Sequence, residues 1–226
     1  MDSSVISYRD QRNLFNPKTF TSKVNIVGLG SIGQAVFPLL LKLGVQEFDL
    51  WDDDMAAEPH NIPVQLLSGP AHVGIPKVEV CEQFAHDGWL AMGEDFIIRT
   101  HRERVTADTR LSGIVIAATD SMGSRKEIWQ AVKRNLCQVH FYMDGRIGGL
   151  QWELLALVPA VAQSAKNYET FLVGPKHVSE APCGASDAIH VPEMLACHMV
   201  ERLRRFHKGI LTTEDFWAMD NLGLEE

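Results

Sequence analysis

The chain has 226 residues, enough for one large domain or a domain with a small appendage. Hydrophobic content of 46% and charged content of 22% are ordinary for a soluble globular protein. Its formal net charge is −8 and no Lys/Arg block stands out, which argues against a nucleic-acid partner.

Cys81, Cys137, Cys183 and Cys197 are far apart and form no CxxC pair, so no zinc site is expected. Cysteine usage this sparse suits reduced thiols and a cytoplasmic location. The start, MDSSVISYRDQRN, is polar and is no signal peptide. No apolar run reaches the ~18 residues needed to cross a bilayer.

In chain order, residues 1–22 read as a polar N-terminal arm or short helix carrying Arg9 and Arg12. Val24–Val27 is rich in β-branched residues and reads as a buried strand. Ser31–Leu43 follows as a helix closed by Gly44, with Pro38 a candidate kink. Phe48–Trp51 is a second strand, and a proline-rich loop covers 58–76. Lys77–His86 reads as helix, Phe96–Thr100 and Gly113–Ala118 as strands, and Lys126–Lys133 as helix. Val139–Met143 is a further strand, and Leu150–Val158 alternates like an antiparallel one. Residues 160–186 show no clear period and read as a long mobile loop, a length usually functional in a compact domain. Val191–Phe206 has helical spacing. Residues 211–226 form an acidic tail with Phe216 and Trp217, expected to dock on the body of the fold. A single domain over 23–210 results. Its fold class is α/β, a doubly wound, mainly parallel Rossmann-like sheet with a few antiparallel strands in the C-terminal half.

Gly28, Gly30 and Gly33 fit GxGxxG between a strand and a helix. The helix start offers free N–H groups and partial positive charge to phosphate. Asp52, 24 residues after Gly28, ends the next strand, where a carboxylate can accept from ribose hydroxyls. The glycines alone could serve only packing; strand, helix and acid together point to a nucleotide. No hydride-transfer site announces itself, which disfavours NAD. Asp54, Asn61, Gln65, Lys77, Asp120 and Arg125 instead fall at or just after strand ends. Carboxylates there suit Mg²⁺, and Asn and Lys suit a triphosphate. That set fits attack of a carboxylate on the α-phosphate of ATP.

The ordered segments GLGSIG (28–33), LWDDD (50–54), NIPVQ (61–65), VGIPK (73–77), TDSMGSR (119–125) and MDGRIGG (143–149) resemble the ThiF and MoeB type of adenylating enzyme. The likeness covers roughly residues 23–158, and Asn61 to Lys77 keeps the family spacing of sixteen residues. It implies nucleotide contacts from Gly28, Gly30, Ser31, Gly33, Asp52, Asp54, Asn61, Gln65, Lys77, Asp120 and Arg125. Asp52 would bind ribose. Asn61 and Lys77 would contact phosphates, with Lys77 stabilising transition-state charge. Asp120 would sit by Mg²⁺ and the triphosphate. Asp53 is the alternative to Asp54, because one extra residue separates Asp54 from Asn61.

The family pattern places an arginine where this chain has Val64. Arg9 or Arg12, supplied by a partner subunit as in family members, or Arg146 are candidate substitutes. Cys183 is the candidate thioester cysteine; Cys81, Cys137 and Cys197 read as structural. The histidines make no metal set. The resemblance implies ATP-dependent adenylation of the C-terminal carboxylate of a small ubiquitin-like or sulfur-carrier protein by a homodimer, or by a heterodimer with a related subunit. A peptide or tRNA carboxylate, and a degenerate non-catalytic partner subunit, are the alternatives.

Overall fold

The computed structural model describes residues 6–55, 58–88, 96–173, 188–210 and 217–220. Seven strands form one sheet in the order β3-β2-β1-β4-β5-β6-β7. They are β1 (Val24–Val27), β2 (Glu47–Trp51), β3 (Ile97–His101), β4 (Gly113–Ala117), β5 (Val139–Gly148), β6 (Gln151–Leu157) and β7 (Trp217–Asp220). Strands β1 to β5 pair in parallel; β6 and β7 pair antiparallel. The chain leaves β1 toward β2 on one side and resumes at β4 on the other. That reversal opens a crevice at the carboxyl ends of β1 and β4, where ligands bind such sheets.

The helices are α1 (Ser31–Leu43), α2 (Lys77–Gly88), α3 (Met122–Arg134), α4 (Ala162–Val173) and α5 (His190–His207). α1 runs through Pro38 and is closed by Gly44, whose N–H reaches the Leu40 and Leu41 carbonyls. α1, α2 and α5 cover one face of the sheet through Phe37, Leu40, Leu41, Val78, Leu195 and Met199. α3 and α4 cover the other through Ile128, Trp129, Val132, Tyr168 and Leu172. Alternating strand residues feed both layers, as Ile26 and Val27 of β1 do. Fully burying one such aliphatic side chain contributes about 1.5–3 kcal/mol.

One part of the chain differs from its sequence reading, and the structure defines two others further. The mobile loop expected over 160–186 is helical over Ala162–Val173. Ser164, Tyr168 and Leu172 recur every fourth residue and are buried on one stripe. The stripe carries two hydroxyl residues, so it does not register as apolar periodicity. Residues 174–187, with Cys183, lie outside the described residues. The acidic tail contributes β7, which pairs Trp217 with Ala156 and Asp220 with Glu153. The N-terminal segment packs on the fold and forms a short 3-10 helix over Pro17–Thr19. Phe15 and Phe20 are buried against the His207 ring, with centroids 5.1 and 5.2 Å away, and the Gln11 side chain donates to the Leu43 carbonyl at 2.6 Å.

A buried charged network ties α3, β5, β6 and α4 together. Asp144, fully buried, accepts from Arg125 Nε at 3.0 Å, Arg146 Nη2 at 2.8 Å and the Tyr168 hydroxyl at 2.9 Å. Arg146 also reaches Glu153 at 3.2 Å, and Tyr168 shares a 2.8 Å bond with Tyr142. Burial first, and then the Asp144 charge, raises both tyrosine pKa values, so both hydroxyls stay protonated donors. Removing Asp144 takes from two buried guanidinium groups the carboxylate they share. Asp144→Ala is expected to lose about 3–5 kcal/mol in urea unfolding, whereas Asp108→Ala, which breaks an exposed pair with Arg134, costs at most about 1 kcal/mol. Equal midpoints for the two variants would contradict this assignment.

Candidate functional site

The sheet ladder extends one residue past the ends of β1, β2 and β4. Gly28 N–H donates to the Trp51 carbonyl at 2.9 Å, Ala118 N–H to Val27 at 2.8 Å, and Asp52 N–H to His101 at 3.1 Å. The glycine turn is thereby held between the ends of β2 and β4. Gly28 has a φ of +94°, and a Cβ there would lie 2.6 Å from the Ala118 carbonyl oxygen, so only glycine fits. A Cβ on Gly33 would strike the Gly28 carbonyl, which places α1 directly against the turn. A Cβ on Gly30 would meet nothing within 4 Å; that side of the turn is open. α1 begins at Gly30 without a side-chain cap, leaving its first N–H groups available to an anion.

Asp52 locks this turn. Its Oδ2 accepts from Leu29 N–H at 2.6 Å and its Oδ1 from Asp54 N–H at 2.8 Å. Burial raises its pKa above the ordinary 3.8, opposed by the charge of Lys77 and by those two backbone bonds. The next two carboxylates each hold a cation. Asp53 accepts from Arg104 Nε at 2.7 Å, and Asp54 accepts from Lys77 Nζ at 2.6 Å. Lys77 opens α2 with its side chain largely buried, so its ammonium is fixed at the strand end. Oxygens of Asp52, Asp53 and Asp54 lie within 4.8 Å of one another. Across the crevice, Asp120 is exposed in the turn before α3, and the neighbouring Thr119 hydroxyl is buried without a hydrogen-bond partner among the described residues.

The crossover from β2 to α2 carries Asn61, which precedes a short 3-10 turn over Ile62–Val64. Gln65 is buried behind it. It accepts from the Gln34 side chain at 3.1 Å and from the Ser68 hydroxyl at 2.9 Å, while Gln34 accepts from Leu67 N–H at 3.0 Å. Gln65 thus anchors the crossover to α1. Arg125, also read as a nucleotide contact, is buried and donates to Asp144 and to the Gly145 carbonyl. Arg146 is engaged by the same carboxylate.

Arg12 lies elsewhere. Its turn packs on the carboxyl end of α1 through Gln11, a helix of thirteen residues, about 20 Å long, with the glycine turn at its other end. Within the chain Arg12 therefore sits toward the end of α1 opposite the glycine turn. Cys81 is buried, which raises its thiol pKa, whereas Cys137 and Cys197 are exposed. Gln34, Ser68 and Arg104 are positioned here without being evident as candidates in the sequence. The signal for Arg104 was its place three residues after the true end of β3 at His101.

A concavity of about 610 Å³ between α2 and β3 is lined by Glu79, Glu82, Phe96 and Ile98 and shares no residue with this site. Its carboxylates disfavour phosphate.

The raised pKa of Asp52 has a definite sign. A carboxyl whose folded pKa lies above its unfolded value favours folding when protonated, and that contribution is lost as pH rises through the folded pKa. The stability advantage of the wild type over Asp52→Asn is expected to shrink as pH rises from about 3.8 and then level off. Urea melts across pH 4–7 read this, and an advantage that grows with pH would contradict it.

Residues 5–175 match the ThiF family. No curated protein matches the sequence. Among solved structures, E. coli MccB with ATP superposes with a TM-score of 0.67 at 17% identity, over 95% of this chain and 71% of that one. PaaA gives 0.66 at 17%, over 96% and 84%. E. coli tRNA N6-threonylcarbamoyladenosine dehydratase, TcdA, gives 0.64 at 18%, over 91% and 98%. The chain spans 64% of the length of MccB solved with succinimide. At such identities these structures share the fold, a Rossmann-like α/β sheet. The family match covers most of the sequence, and the chain belongs to the ThiF family.

Proposed function

We propose that this protein binds ATP in the crevice between β1, β2 and β4 and adenylates a carboxylate, with pyrophosphate leaving. The observation that carries this is Lys77, a largely buried ammonium held by Asp54 at the end of β2, beside the glycine turn that Asp52 locks. The residues fit a nucleotide. The turn is open at Gly30, the helix start is uncapped, and the Thr119 hydroxyl has no partner among the described residues. Each Asp52 oxygen accepts one backbone N–H and keeps a lone pair for a ribose hydroxyl.

The chemistry assigned to the chain is positioning and charge stabilisation. The N–H groups of α1 favour phosphate. Lys77 favours the extra negative charge that builds on the α-phosphate as a carboxylate attacks. Once seated on the bound nucleotide, the ammonium is in place before that charge builds. Asn61, in the crossover between Asp54 and Lys77, is the second phosphate donor. Asp54 and Asp120 carry the hard oxygen ligands that suit Mg²⁺, which when bound would offset charge on the departing phosphates. Release of Lys77 from Asp54 is then required for it to face the nucleotide.

The acceptor favoured here is the C-terminal carboxylate of a small ubiquitin-like or sulfur-carrier protein, or of a short peptide. In support, MccB has been solved with MccA. TcdA, a tRNA N6-threonylcarbamoyladenosine dehydratase, makes a tRNA carboxylate the contrasting acceptor. Homodimerisation would let Arg12 of a second copy approach the crevice. Val64 favours one second reading, a partner subunit that binds ATP without turnover.

ATP–pyrophosphate exchange separates these. It should be run with proteins ending in Gly-Gly, short peptides and tRNA. Exchange is expected with a protein or peptide carboxylate, and Lys77→Ala should reduce it by about 10²–10³-fold. ATP binding without exchange on any acceptor would support the non-catalytic reading. Absence of both binding and exchange would remove the proposal.

A further inference from the structure

The carboxyl edge of the sheet is acidic. Asp52, Asp53, Asp54 and Asp120 all lie there, and a phosphate entering among them is repelled unless cations offset the charge. α1 contributes only the partial charge of a helix start. Lys77 contributes one full charge, already facing Asp54 at 2.6 Å.

Among the other arginines, Arg125 and Arg146 are buried against Asp144. Arg102 faces Glu79 at 3.5 Å and the Met55 sulfur at 3.3 Å. Arg104 is different. It follows the end of β3, and its Nε is fixed by Asp53 Oδ2 at 2.7 Å. Its side chain is 69% exposed, and its Nη1 and Nη2 groups donate no hydrogen bond among the described residues. The nearby charges acting on it are those of Asp53, Asp54 and Asp120, the carboxylates of the crevice itself. A guanidinium held at Nε by a carboxylate presents its remaining N–H groups in a fixed fork, the geometry that suits two phosphate oxygens.

We propose that Arg104, oriented by Asp53, binds the phosphate chain of the nucleotide and is the second full positive charge of the site. Asp53 is then a positioning residue, not a metal ligand. This rests on the nucleotide reading above. It adds that the loop after β3 supplies a cation to the crevice, where Val64 offers no charge.

The test is calorimetric titration of the full chain with ATP and with adenosine, for wild type, Arg104→Ala and Arg110→Ala. Arg110 is an exposed control in the loop before β4. Arg104→Ala is expected to weaken ATP about tenfold or more and to leave adenosine unchanged, while Arg110→Ala changes neither. Adenosine binding also shows that the variant is folded. A loss of ATP affinity smaller than tenfold, or an equal loss for adenosine, overturns the role of Arg104. A wild type that binds neither ligand overturns the nucleotide reading and this inference with it.

Discussion

The site depends on one carboxylate. Asp52 accepts the N–H of Leu29 with one oxygen and that of Asp54 with the other, so a single side chain fixes the glycine turn after β1 to the turn after β2. Asp54 then takes Lys77 at the start of α2. Three elements are brought into register through two backbone bonds and one ion pair. Burial opposes the Asp52 charge, and the same two N–H groups together with the Lys77 ammonium offset part of that cost. The glycine turn has its shape because Gly28 and Gly33 admit no Cβ. It has its place because Asp52 holds it.

The two halves of the molecule use charge differently. Around Asp144 the charged groups are buried, mutually bonded and closed to ligands. Their work is architectural: Arg125 ties the first turn of α3 to β5 and so fixes the turn that carries Asp120. At the carboxyl edge Asp53, Asp54, Arg104 and Asp120 are exposed, and Asp52 and the buried Lys77 keep unused lone pairs or donors. A charge satisfied by the fold has little left for a ligand. This contrast separates the arginines of the chain more clearly than any motif does.

Much of this was legible in the sequence because it is local. The glycine turn, the carboxylates ending β2 and the Asn61–Lys77 spacing each lie within a short stretch, and β1 and α1 have the bounds their residues predict. What was hidden depends on distant partners. β7 forms only because β6, some sixty residues earlier, offers it an edge. α4 buries a stripe whose central residue is Tyr168, a side chain that needs Asp144 to satisfy its hydroxyl. Gln65 and Arg125 carry donors suited to a nucleotide, and nothing in their local sequence reveals that Ser68, Gln34 and Asp144 engage them. Arg104 went unseen because its position depends on where β3 ends.

The most direct test of the nucleotide crevice is a crystal structure of the full chain with a non-hydrolysable ATP analogue. Phosphate density is expected at the start of α1, with Lys77 moved from Asp54 to a phosphate oxygen and a ribose hydroxyl on Asp52. Nucleotide bound instead in the concavity between α2 and β3, or a Lys77–Asp54 pair left intact beside a bound triphosphate, would contradict the assignment.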